Sequence, residues 1–350
     1  MEPDHPKLVH YVQDVIRPEL AAIGFDRPLA VPRNNLVVSI GAGVSRRSLL
    51  VQNYTVTQHH HDMPDPFSGR IEDGRLFGQG VTQNKAHQAV MLAVLRELLD
   101  DRLSGRLWWA VNNEGRSSHA CSEAILAVLD EKPEFCIVQV GTGLRLSLGN
   151  RGRVDIDVVV EGEPAHSSVT GHPSVIDAAA EVVRRVAALR WPDRHPQLGS
   201  RHAIVYKVRY SPVAPHTLPG RAELTVDRRL LPGDSPAAAV SEVAGAIGRL
   251  APLRVAVGQA VFMLPALVDA KLPWVAALRR AHEDVTGRPP VPEYGQGSFD
   301  AGGPAARGVP AVMYGAGGAG LAITGPDWID IDEMQSEANV LITLIRQELG

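Results

Sequence analysis

The alternation of short apolar runs with segments of helical period constrains this 350-residue chain more than any other feature. Leu8, Val12, Ile16 and Leu20 recur at helical spacing and stop near Gly24, which predicts an amphipathic N-terminal helix. β-Branched runs follow at 36–40 and 49–52, then a helical stretch at 85–99, a strand-like run at 107–111, a helix at 122–129 and another run at 135–138. Strands alternating with helices bury their sheet between helical layers, so an α/β domain with a mostly parallel sheet is expected.

The order changes after Gly152. A strand at 154–160, a helix at 175–189, strands at 203–210 and 222–227, a helix at 237–250 and a strand at 253–257 spell β-α-β-β-α-β, the ferredoxin-like order. The α/β pattern then resumes with a helix at 274–285, a strand at 311–314 and a helix at 331–349. The expected organisation is one α/β domain, residues 1–151 plus 260–350, interrupted by a smaller domain at 152–259. Segment 289–320 is rich in Gly and Pro and should be loop-heavy, a usual setting for binding residues.

A net charge of -4 gives no electrostatic reason to expect nucleic acid or an anionic membrane as partner. No apolar run approaches the roughly 20 residues of a membrane-spanning helix, and the first six residues carry no secretory pattern. Cys121 and Cys136 sit in apolar segments and read as small buried residues rather than a disulfide or, beside His119, a catalytic thiol. A reduced, cytoplasmic setting is expected.

Five stretches carry a more specific signal: 49–56 ending in Asn53-Tyr54-Thr55-Val56, 73–85 with Gly78-Gln79-Gly80-Val81-Thr82-Gln83-Asn84-Lys85, Val111-Asn112-Asn113-Glu114-Gly115, Gly162-Glu163-Pro164-Ala165-His166-Ser167-Ser168, and 226–233 with Arg228-Arg229. Together they resemble the zinc-dependent aminoacylase, acetylornithine deacetylase and carboxypeptidase G family of metallopeptidases. The resemblance covers almost the whole chain. It implies a zinc-exopeptidase-like three-layer α/β domain with an inserted ferredoxin-like lid domain, which in many relatives pairs edge to edge to form a homodimer.

The resemblance also implies where two zinc ions would bind, and there the chain departs from it. Where the family has a His ligand and a supporting Asp, this chain has Tyr54 and Val56. Gln83 stands for the bridging carboxylate, Asn113 for the general-base glutamate, Val140 for a further acid and Ile323 for the C-terminal His. Only Glu114 remains of the ligand set. An amide cannot take a proton from water near neutral pH, so Asn113 cannot be a base. The losses agree with each other: without metals, clustered carboxylates would repel, and neutral replacements relieve that repulsion. No zinc or other cofactor is therefore expected. His59, His60 and His61 read as a solvated loop, a relocated single metal being the alternative, because consecutive residues on an extended segment point in different directions.

Other features are kept. His166 matches the lid histidine that in relatives reaches the partner subunit's active site and polarises the substrate carbonyl. Arg229 matches the lid arginine that holds an anionic group, against the plainer alternative of an ion pair with Asp227 or Glu223. His216 replaces an Asn that contacts substrate, and Asp300 lies in the Gly-rich segment bordering the pocket. The expected activity is a metal-independent amidohydrolase-like or acyl-transfer reaction on a small N-acyl amino acid, peptide or related amide bearing a carboxylate. Glu114, His166 and Tyr54 are its candidate catalytic residues; Gln83, Asn113, His216, Arg229 and Asp300 its candidate substrate contacts. Two alternatives stand beside it: an inactive ligand-binding or regulatory relative, and an ordinary zinc amidohydrolase with relocated ligands.

Overall fold

The computed structural model describes residues 3–57, 62–114, 118–318 and 325–350. The chain opens with α1 (Pro6–Tyr11), a π-helical turn (Val12–Ile16) and α2 (Arg17–Ile23), which run on as one amphipathic rod burying Leu8, Val12, Ile16 and Leu20. The rod stops at Gly24, whose φ of 114° lets its N–H and that of Phe25 turn back to the Ala21 and Leu20 carbonyls. Next come β1 (Leu29–Val31), β2 (Asn35–Ile40), β3 (Ser48–Tyr54), β4 (Ile71–Glu72), β5 (Arg75–Phe77), a π-helical turn (Val81–Lys85), α3 (Ala86–Glu97), β6 (Arg106–Asn112), α4 (Ala120–Val128), β7 (Phe135–Gln139) and β8 (Leu146–Asn150).

The β-α-β-β-α-β stretch follows: β9 (Gly152–Glu161), β10 (Ala165–His166), α5 (Val175–Ala187), β11 (Arg194–His195), β12 (Gly199–Ser200), β13 (His202–Ser211), β14 (Thr217–Leu218), β15 (Arg221–Leu230), α6 (Pro236–Ile247) and β16 (Arg254–Met263). Ser174 and Ser235 cap the two helices, each hydroxyl accepting a backbone N–H three residues on at 3.1 Å. The chain closes with β17 (Ala266–Leu267), α7 (Pro273–Thr286), β18 (Pro292–Gly295), α8 (Gly302–Ala306), β19 (Ala311–Tyr314), β20 (Trp328–Asp330) and α9 (Ile331–Leu349). None of the described helices is long and apolar enough to cross a membrane.

These elements form two compact units. The first comprises Met1–Asn150, Ala266–Gly295 and Asp300–Gly350. Its sheet runs β1-β2-β6-β3-β7-β19-β8-β17, with β18 also on β8. The expectation of a mostly parallel sheet is corrected here to a mixed one. β3 lies parallel to β6 and β7, and β19 parallel to β7, but β1–β2, β2–β6, β8–β19 and β8–β17 are antiparallel. The cause at one edge is local: left-handed Arg33 and Asn34 make the short turn of the β1–β2 hairpin, and a hairpin forces antiparallel pairing. Leu49, Val51, Leu107, Trp109, Phe135 and Ile137 pack with Met91, Leu95, Leu341 and Leu344 of α3 and α9 in one apolar core.

The second unit comprises Arg151–Pro265 and Gln296–Phe299. Its antiparallel sheet has the order β13-β15-β9-β16, which is the ferredoxin-like 4-1-3-2 arrangement read from the other side. Val154, Ile156, Val158 and Val160 alternate onto the face covered by Val182 and Val186 of α5 and Val243 and Ile247 of α6. β13 is an edge strand that exposes Ile204, Tyr206, Val208 and Tyr210.

Candidate active site

In the first unit the parallel strands β3, β6 and β7 end side by side. Register aligns Tyr54 with Asn112 and Gln52 with Val138, so Tyr54, Asn113, Glu114 and Val140 belong to the same carboxyl edge of the sheet. That edge is where open α/β sheets hold their ligands.

Tyr54 is 1 % exposed, one of the largest fully buried side chains of the chain. Asn113 is wholly buried, and its amide is engaged at both ends: the carbonyl accepts from the Thr55 hydroxyl and the NH2 donates to the Asn34 carbonyl. Its backbone N–H donates to Asn35 Oδ1 at 2.8 Å. The β1–β2 hairpin thus supports Asn113 directly, and these bonds occupy the groups that the sequence reading assigned to substrate.

Glu114 follows at once. Its N–H donates to Asn112 Oδ1 at 3.0 Å, and its Oε2 accepts the Cys121 N–H at 2.6 Å, at the first turn of α4. An anion there is favoured by the exposed N–H groups of the helix start. Burial nevertheless raises the Glu114 pKa, outweighing the Cys121 N–H and the nearby Arg33 charge, which both lower it. His119, left-handed at φ 62°, precedes α4; burial lowers its pKa to about 4, so it is neutral at neutral pH. Cys121 and Cys136 are both buried thiols, with Cys121 pushed up to about 12 by burial, which suits packing rather than nucleophilic attack.

The Gly78–Lys85 loop crosses the same edge. Asp327 holds it, Oδ2 accepting from Gly80 N at 2.7 Å and Oδ1 from the Thr82 hydroxyl at 2.8 Å. Gly80 sits at φ 82°, and a Cβ on it would come within 2.2 Å of Thr57 Cγ2, so no larger residue fits. Gln83 is 1 % exposed. Lys85, which the sequence reading passed over, donates from Nζ to the Thr55 carbonyl at 2.9 Å and to Thr57 Oγ1 at 2.7 Å. Burial lowers its pKa to about 8. Asp300 is 3 % exposed and begins the turn into α8, its carbonyl accepting from Gly303 N at 3.0 Å. α8 packs on the start of α4, since a Cβ on Gly303 would lie 2.9 Å from Ser122 and 3.1 Å from His119 Nδ1.

The remaining candidates lie in the second unit. β10 pairs with β14, matching His166 with Thr217, and this brings His166 within 6.0 Å of the His216 ring. His216 is left-handed at φ 53°, and its carbonyl accepts the Ser167 N–H at 2.8 Å. His166 is exposed, its Nδ1 2.8 Å from Ser168 Oγ. Arg229 donates to Asp227 Oδ2 at 2.8 Å, the plainer of the two roles foreseen for it.

The donor set at the strand ends does not fit a two-zinc centre. Val140 offers no donor atom, Gln83 no charge, and the Asn113 carbonyl already accepts from Thr55. Among the described residues no three His, Cys, Asp or Glu side chains are grouped to hold a metal. His59, His60, His61 and Ile323 lie outside the described residues.

The model of peptidase family M20/M25/M40 matches residues 55–347, and the chain belongs to that family. Among curated proteins it is similar to a succinyl-diaminopimelate desuccinylase of Ehrlichia canis (strain Jake), 29% identical over 112 residues, covering 29% of this chain and 30% of that one. It is also similar to an acetylornithine deacetylase of Shigella sonnei (strain Ss046), 27% identical over 154 residues, covering 42% of this chain and 40% of that one. The chain thus spans under half the length of these relatives. Among solved structures, an M20 family metallo-carboxypeptidase, Sso-CP2 of Sulfolobus solfataricus, shares the fold with a TM-score of 0.79 at 17% identity, over 97% of this chain and 93% of that one. The dipeptidase Dug1p of Saccharomyces cerevisiae does so with a TM-score of 0.76 at 13% identity, over 99% and 92%.

Proposed function

We propose that this protein is a metal-independent enzyme of the M20 fold that acts on the C–N bond of a small N-acyl amino acid, peptide or related amide. Glu114 carries the reading. It is the single carboxylate left of the ligand set, half-buried at the carboxyl edge of the sheet, and burial makes it hold its proton to higher pH than a free glutamate. Such a group can take a proton from an attacking water or amine and return it to the leaving nitrogen. Tyr54 and Gln83 are the proposed neighbours of the substrate. In a dimer His166, with His216 beside it, would polarise the carbonyl in the partner's pocket, and Arg229, which bonds Asp227 through one guanidinium nitrogen, would attract its carboxylate with the others. Edge strand β13, with Ile204 and Tyr206 exposed on one face and Val208 and Tyr210 on the other, supports such a dimer. The relatives' names, a succinyl-diaminopimelate desuccinylase and an acetylornithine deacetylase, support that substrate class.

A second reading, a relative that binds a ligand without turning it over, draws support from Asn113, whose amide is committed to Thr55 and Asn34. One assay separates the two. Purified protein is presented with a panel of N-acetyl and N-succinyl amino acids and dipeptides, with and without EDTA, alongside Glu114→Gln. Turnover that is indifferent to chelator and at least 100-fold weaker in Glu114→Gln is the expected result. Turnover abolished by EDTA and restored by zinc would refute metal independence, and binding without turnover would favour the second reading.

A further inference from the structure

A fully buried ion pair lies within the first unit, apart from every residue assigned above. His87 of α3 and Glu337 of α9 are both 0 % exposed, with His87 Nδ1 at 2.9 and 3.1 Å from the two carboxylate oxygens. The other ring nitrogen, Nε2, lies 3.1 Å from the Thr82 carbonyl. A carbonyl can only accept, so Nε2 carries a proton. Glu337 also accepts from Gln139 Nε2 at 2.7 Å and from the Ala316 N–H at 2.9 Å. With donors on its other approaches, Glu337 faces Nδ1 as an acceptor; burial lowers the His87 pKa, but the Glu337 charge and the hydrogen bonds to Glu337 and the Thr82 carbonyl raise it above its usual value.

What the pair joins is the rim of the candidate site. The Thr82 carbonyl it holds also accepts from Gly141 N at 2.7 Å, in the loop that follows Val140. Thr82 precedes Gln83, Gln139 ends β7, and Ala316 follows β19. From α9, Glu333 also accepts the Gly317 N–H at 2.8 Å. Three loops at the strand ends are therefore anchored on one helix through one ion pair. Burying such a pair is costly in desolvation, and the cost is offset only where the remaining hydrogen bonds are met; here each is met by a rim group.

We propose that His87 and Glu337 are positioning residues, an internal cross-link holding the Thr82, Gln139–Gly141 and Ala316 segments in place, as a metal bridging several loops does elsewhere. The comparison with a metal rests on the metal-free reading above; the cross-link itself does not. The charged and titratable groups around the pair are Glu333 on α9, Tyr314 on β19, whose pKa is driven up by burial and by Glu337, and Asp327, which holds Thr82 from the other side.

The test combines nitrogen-15 histidine NMR with amide hydrogen exchange of segments 78–85, 139–143 and 314–318. Wild type should show one imidazole protonated on both nitrogens at pH 7.5, absent from His87→Gln. His87→Gln and Glu337→Gln should each speed exchange at least tenfold in those three segments and spare α5 and α6. The apolar pair His87→Leu/Glu337→Leu should recover melting temperature but not rim protection, since it fills space without bonding Thr82, Gln139 or Ala316. Unchanged rim exchange in both single variants, uniform loosening of the whole chain, or rim protection restored by the apolar pair would each overturn the proposal. EDTA should leave rim exchange unchanged. Loosening by chelator alone would sink the metal-free reading, while the His87→Gln comparison would still decide the cross-link.

Discussion

At the scale of single residues, titration separates groups that look alike in sequence. His119 is held neutral by burial, with its pKa lowered to about 4. A depressed folded pKa means that the native state binds fewer protons, so stability is full above the unfolded value of about 6.5 and is lost as pH falls toward 4. The loss amounts to about 3 kcal/mol over that window. His119→Asn, which tolerates the left-handed backbone, should flatten this acid limb in melting curves recorded from pH 7 to 4. His87 runs the other way. Its pKa is raised because Glu337 and the Thr82 carbonyl outweigh desolvation, so its contribution is present below the unfolded value and fades as pH climbs through the folded one. Neither behaviour was legible in sequence. His87 reads as one more helix residue, and its partner lies 250 positions away. Tyr54, Gln83, Asn113 and Glu114 were legible as a set because they occupy consecutive motifs, but the commitment of the Asn113 amide to Thr55 and Asn34 was not.

At the scale of elements, Asp327 joins the Gly78–Lys85 loop to the small sheet β20-β5-β4. It accepts two buried hydrogen bonds as a carboxylate, and Asp327→Ala should cost about 3 kcal/mol in urea unfolding, because both donors lose their partner. A variant as stable as wild type would show that the loop holds itself. The long helices and central strands were readable because each buries an apolar stripe or run. The small sheet was missed because its strands are two or three residues long and half-exposed. Asp73-Gly74, left-handed at both positions, was the hairpin signal available there.

At the scale of the whole molecule, the edge strand β13 decides the oligomeric state proposed here. An exposed ten-residue edge bearing Ile204, Tyr206, Val208 and Tyr210 invites pairing with another copy. Sedimentation should find a homodimer, and Val208→Lys with Tyr210→Lys should give a folded monomer with weakened turnover; a wild-type monomer would count against any role for His166 across subunits. The hairpin of β1 and β2 has a different reach. It precedes residue 55, where the family match begins, yet its tip supplies the acceptors that satisfy Asn113. A truncation starting at the recognised family segment would remove those acceptors together with β3, the strand between β6 and β7, so the shortest working version of this protein is longer than its family signature suggests.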